Sequence, residues 1–327
     1  MKFSNYYAYA VPPARPDIDA ALLDLKLPDS PLLGVEVEIE GVELPLENAL
    51  WSTVHEGSLR SGFEVKTIPL YLKELPYALQ LLNQWLDKND HQFTEYTSVH
   101  VHMDYRDCSY VDLIKLMLLH SLFERYLFWF AGAKRIDSNF CVPFCHTSFT
   151  RTMQKILYAF DKDALTFDDL QEKLNETLSE KYAAFNIQNL IGYAVRNAAC
   201  FGTIEYRHME GNANPNHILQ WCVFLVLLHN AALRMNYHEL KAKILALNTT
   251  SEYGLFAEDV FGAMWRQLVP ANLDWGSLAE SVALTKECFL PPVNTVKAKE
   301  SYLTSVLATK LKKAAETIKA DKMKERR

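Results

Sequence analysis

The chain has 327 residues, of which 49% are apolar and 23% charged. That is enough chain and apolar content for a sizeable buried core, and it excludes wholesale disorder. The net charge of −6 is unevenly spread, because residues 297–327 carry ten Lys/Arg against four Asp/Glu and leave about −12 on the rest; an acidic body of this kind argues against nucleic acid as the main partner.

Residues 1–33 contain Pro12, Pro13, Pro16, Pro28 and Pro31 and read as an irregular lead-in. Residues 35–40 alternate apolar and acidic side chains at period two, a strand signature, and 42–46 offer a continuation or a pairing partner. A turn over 57–62 leads into a second strand at 63–67, which Pro69 ends. Helical spacing follows over 72–86, a third alternating strand over 97–104, and a long apolar helix over 110–132. Further helices are expected over 153–161, 167–178 and 214–234, with a strand at 202–207 before the last of these. Strands joined by helix-rich connections indicate an α+β protein. The tail places Leu303, Leu307, Leu311, Ala314 and Ile318 at helical spacing among lysines, so 296–327 read as a basic amphipathic helix. Such a helix would dock on the body or on a second subunit, which permits a homo-oligomer.

The N-terminus shows no charged region followed by an apolar stretch, and a cytoplasmic location is expected. The longest apolar runs are interrupted by Lys115, His120, Glu124 and Arg125, or by His229. They read as buried helices and not as membrane spans. The six cysteines lie mostly in apolar surroundings and read as free thiols in a reducing compartment. Cys141, Cys145 and His146 lack a second Cys/His pair at finger spacing, which weighs against zinc there.

Polar residues gather on strand faces. Glu36, Glu38 and Glu40 share one face of their strand, successive carboxylates lying roughly 6.5–7 Å apart. They are either solvated or gathered by a cation. His100, His102 and Asp104 share a face opposite Val99, Val101 and Met103, which suits either structural histidines or ligation and phosphate contact. Thr203, Glu205 and Arg207 share a third. A Glu–Arg neighbour pair is ordinarily a surface ion pair worth little; beside a polyphosphate, Glu holds a metal while Arg neutralises the transferred group.

The order E-x-E, then Glu64 after the Gly57-Ser58-Leu59 turn, then H-x-H, then E-x-R resembles the amidoligase group of carboxylate–amine ligases, which are related to glutamine synthetase and glutamate–cysteine ligase. The resemblance runs from about Gly34 to Trp221. It takes in Arg135 with Asn139, Cys141 and Pro143, then Tyr182 with Asn186, and Gly211. The sequence departs from the family at Lys66-Thr67-Ile68-Pro69, where a Ser-Pro pair is usual, at His55-Glu56, where an Asp is common, and at Asn212, where a Thr often stands. These departures bear on substrate choice more than on metal binding.

The resemblance implies a curved antiparallel sheet of the glutamine synthetase and glutamate–cysteine ligase type, with helices packed on one side and a single catalytic domain over 34–295. Mg²⁺ or Mn²⁺ ions would be held by Glu36, Glu38, Glu64, His100 and Glu205, oxygen-rich ligands of the kind hard cations prefer. Arg207, His102, Arg60 and Arg135 would contact ATP, with Arg207 and His102 in catalytic roles. The implied partners are a small-molecule or peptide carboxylate and an amine, with no nucleic acid and no membrane. The implied reaction is ATP-dependent amide formation through an acyl phosphate. No Walker loop or G-x-G-x-x-G occurs in the chain, as expected where metals and not a phosphate loop hold ATP. Two other readings stand beside it: a catalytically silent relative that binds a nucleotide or peptide, and a metal-dependent phosphohydrolase or nuclease.

Overall fold

In β1 (Leu33–Glu40) the alternation read from the sequence becomes two faces. Val35, Val37 and Ile39 are fully buried in the main core, and the glutamates point the other way because the pleat alternates. β2 (Trp51–Val54), β3 (Gly62–Thr67), β4 (Ser98–Asp104), β5 (Phe185–Asn186) and β6 (Thr203–Glu210) complete a sheet ordered β2-β3-β1-β4-β6-β5. All of its pairings are antiparallel. The computed structural model describes residues 2–5, 27–177, 182–191, 201–268 and 275–292.

The helices among these residues are α1 (Leu75–Leu86), α2 (Tyr110–Gly132), α3 (Phe149–Phe160), α4 (Phe167–Thr177), α5 (Pro215–Arg234), α6 (Tyr237–Ala246), α7 (Thr250–Phe261), α8 (Ala263–Leu268) and α9 (Trp275–Glu287). The fold is α+β. α2 starts at a reciprocal cap: the Asp112 amide donates to Ser109 Oγ at 3.2 Å and the Ser109 amide donates to Asp112 Oδ2 at 2.9 Å. It is apolar on nearly all sides because it packs against β6, α5 and α9. α5 is long and apolar enough to cross a membrane by length and composition. Ile218, Trp221, Phe224 and Leu225 along it are nonetheless buried in the same core.

Residues 42–46 do not form the strand expected of them; the neighbouring strand is β2, at Trp51–Val54. Pro45 has no amide to give a ladder. Leu46 is held instead by the Thr53 hydroxyl, which accepts from its amide at 2.8 Å and donates to its carbonyl at 2.9 Å. β6 runs on past residue 207 to Glu210, where Gly211 meets the end of the Thr97 segment. A Cβ on Gly211 would lie 2.1 Å from Thr97 Oγ1, so only glycine fits this approach.

The chain divides into a unit of Met1–Phe289, which holds every element named above, and a unit of Leu290–Arg327. The amphipathic helix expected over 296–327 lies outside the described residues, as do Cys200 and most of the proline-rich lead-in.

Candidate functional site

Strand register brings the polar faces together. Glu36 of β1 stands opposite His100 of β4 on one side and Lys66 of β3 on the other. Glu38 stands opposite Glu64, and His102 of β4 opposite Glu205 of β6, whose other neighbour is Asn186 of β5. Between Val99 and Val101 the β4–β6 register slips, with Val99 paired to Met209 and Val101 to Tyr206. Arg207 and His208 therefore share the place opposite His100, a bulge of the kind that re-aims a side chain beside a site.

Two groups of three could each hold an ion. The ligand atoms of Glu36, Glu64 and His100 lie within 4.8 Å of one another, and so do those of Glu36, His102 and Glu205. Glu36 belongs to both. His102, expected among the ATP contacts, thus stands among candidate ligands. Glu38 is in neither group and reaches the site through Ser98.

Ser98 sets the state of His100. Its hydroxyl donates to Glu38 Oε2 at 2.5 Å, so its proton is committed. Oγ also lies 2.7 Å from His100 Nε2 and can there only accept, which puts the imidazole proton on Nε2. His100 Nδ1 then faces Glu36 Oε2 and Glu205 Oε1, each 3.5 Å away. A bare lone pair between two carboxylates requires a cation, either a second proton or a metal ion. This is the tautomer and the donor set of a metal ligand oriented by a partner behind it.

Burial and neighbouring charge shift the groups of this cluster in both directions. Burial would raise Glu36, but the charge of His102 and the close approach of the His100 and His102 rings hold it well below the usual carboxylate range. Burial likewise opposes the ionised form of Glu205, and His102, Arg207 and His100 outweigh it and lower the group. Glu64 goes the other way: burial and the neighbouring Glu36 charge raise it in spite of Lys66. Burial works against the charge on His102, but Glu36 and then Glu205 raise it overall. Glu205 Oε2 also accepts from Asn186 Nδ2 at 2.9 Å.

Arg207 pairs with Glu205 on the same strand. Its guanidinium lies 6.0 Å from the Tyr182 ring, and its Nε donates to the Phe140 carbonyl at 3.4 Å. Arg135 is buried and donates to the Arg207 carbonyl at 3.1 Å, so it supports the strand that carries Arg207. Arg60 stands apart: its side chain is largely exposed, stacks 4.2 Å over Tyr96 and reaches Glu95 at 3.7 Å. From the same turn it is Glu56 and Ser58 that line the cleft. Glu40 accepts from the Arg60 amide and from Thr94 Oγ1, both at 2.8 Å, and is structural.

Around these groups lies a cavity of about 280 Å³ lined by Glu36, Glu38, Glu64, His100, His102, Glu205, Arg135 and Arg207, with Phe140, Tyr182 and Phe201 among its aromatic residues. A second, more apolar cavity of about 340 Å³ shares Glu36, Lys66, His102 and Phe201 with it and adds Leu32, Ile68 and Pro69. Ser98 and Lys66 also line the cleft, beyond the residues that the sequence pattern marks. Both were within reach of period-two counting, since Ser98 shares a face with His100 and Lys66 with Glu64.

A family model described as "Putative amidoligase enzyme" matches residues 42–228. The match takes in Glu64, His100 and Glu205 and begins just after the strand that carries Glu36 and Glu38. A search of curated proteins finds no match.

Proposed function

The chain belongs to the amidoligase family, and from that premise we propose that it joins a carboxylate to an amine at the expense of ATP, through an acyl phosphate, on a sheet of the glutamine synthetase type. The observation that carries this reading is the convergence of Glu36, Glu64, His100, His102 and Glu205 from four adjacent strands, with His100 held in a metal-ligating tautomer by Ser98. Glu36, Glu38, Glu64, His100 and Glu205 would hold Mg²⁺ or Mn²⁺, joined by His102. Such ions, when bound, neutralise the triphosphate and the attacking carboxylate so that two anions can approach.

The rest falls to the chain's own side chains. Arg207, which lines the same cleft, would leave Glu205 for a transferred phosphoryl oxygen. A planar, permanently charged fork suits that task. Arg135 holds the backbone under it. The polar cavity offers room for the phosphates, and the apolar one beside it for a less polar part of a substrate. In the first step a substrate carboxylate oxygen attacks the γ-phosphorus and ADP leaves. In the second an amine attacks the acyl carbon, phosphate leaves, and the nitrogen gives up a proton to complete the amide.

An isotope experiment tests this against phosphate-ester or ATP hydrolysis. A pool of amino acids and short peptides, ¹⁸O-labelled in their carboxylates, is incubated with ATP, Mn²⁺ and a mixture of amines. An acyl phosphate carries one labelled oxygen into the released phosphate, and release depends on the amine. Label entering phosphate from H₂¹⁸O instead, without need of an amine, would replace ligation with hydrolysis.

A further inference from the structure

On the opposite face of β6 from Glu205 and Arg207, His208 points into the core and meets α2. We propose that His120, Glu124 and His208 form a second metal site, buried between α2 and β6, that takes a divalent transition-metal ion and by its donor set favours zinc. The three ligating atoms lie within 4.8 Å of one another. His120 and Glu124 are one helical turn apart and so share a face of α2. All three residues are buried, His120 and His208 completely.

Without an ion this corner of the core is poorly satisfied. His120 Nε2 and His208 Nε2 are 3.0 Å apart, so at most one proton is shared between them. Among the described residues, the Nδ1 atom of each ring is buried with no partner. Phe144, Phe185, Tyr206, Phe128 and Trp221 pack around the two rings. Glu124 accepts from the Phe144 amide at 2.7 Å, yet no cationic side chain pairs with its carboxylate among the described residues. Burying a carboxylate without a counter-charge is costly; a group so placed is either held neutral or balanced by a cation, and a metal ion shared with the two rings would supply that balance. With at most one proton between the two Nε2 atoms, at least one ring presents a lone pair there, the form in which imidazole ligates. Two imidazoles with one carboxylate suit a transition ion better than Mg²⁺ or Ca²⁺, and zinc commonly takes that set.

The site stands independently of the ligase reading, because it lies on the other face of the sheet. Full-length protein, purified without added metal and dialysed against a mild chelator, is assayed for metal content beside His120→Gln and the cleft variant Glu205→Gln. Zinc is expected at stoichiometric level in the wild type and in Glu205→Gln and lost from His120→Gln. Zinc K-edge absorption of the wild type adds a readout that needs no variant: two imidazole nitrogens and one carboxylate oxygen at about 2.0–2.2 Å are expected. A wild type free of metal that gains no thermal stability on zinc addition would overturn the proposal. So would zinc that is lost from Glu205→Gln and kept by His120→Gln, or an absorption spectrum without imidazole.

Discussion

Lys66 reaches from β3 to β1 and donates to Glu36 Oε1 at 3.1 Å while also pairing with Glu64. Its ammonium stands between two of the candidate ligands, where a metal ion would otherwise balance them.

Lys66→Met therefore has two expected effects. Ion-free protein loses about 1–3 kcal/mol of stability, less than a fully buried pair would lose, because Lys66 is partly exposed. The stabilisation gained from Mn²⁺ becomes larger than in the wild type, since Glu36 and Glu64 are left for the ion alone. Thermal unfolding with and without Mn²⁺ reads both. An unchanged ion-free midpoint, or a smaller Mn²⁺ gain, would show that Lys66 neither balances nor competes.

Ser98→Ala removes the acceptor that keeps the His100 proton on Nε2. Replacing the partner behind a ligating histidine commonly costs about 10–100-fold in metal affinity. The same loss is expected here for Mn²⁺ titrated by calorimetry, with the circular dichroism of the fold unchanged. Affinity equal to that of the wild type would mean that His100 takes its tautomer from elsewhere.

Asp112 links stability to pH through the start of α2. Burial opposes its charge, but hydrogen bonds from the Ser109 side chain and amide, and from Lys115, lower it overall. A depressed carboxylate contributes stability that is fully present above its unfolded value, about 3.9, and is lost as pH falls through its folded value. Asp112→Asn should accordingly be less stable than the wild type at pH 7, by about 0.5–2 kcal/mol for a lost cap. The gap should narrow as pH falls below about 4. Urea midpoints at pH 7 and pH 3 measure it; a gap that widens on acidification would contradict the assignment.

Much of this was legible in the residues themselves. Period two in 35–40 and 97–104 separates Val35, Val37, Val99 and Val101 from Glu36, Glu38, His100 and His102 without any structure, because a strand with one buried face has no other register. α2 spans the residues its apolar run marked. What escaped has physical reasons. β5 is two residues long and carries no period. β2 was hidden by the competing pattern at 42–46, where Pro45 breaks any ladder. Which strands are neighbours, and hence that Lys66 meets Glu36 and that Ser98 meets Glu38, depends on long-range pairing that local pattern does not encode. His120 and Glu124 were noticed as interruptions of an apolar helix, but their partner His208 is 88 residues from His120.

The most direct measurement is thermal unfolding of the wild type and Glu205→Gln, with Mn²⁺ and a non-hydrolysable ATP analogue added together and separately. A ligand bound only to the folded state stabilises it by about 2.7 kcal/mol at 100 times its Kd. A rise of the midpoint in the wild type that needs both components and is absent from Glu205→Gln is the expected result. An equal rise in both proteins would place the metal–nucleotide elsewhere, and no rise in either would remove ATP from the cleft.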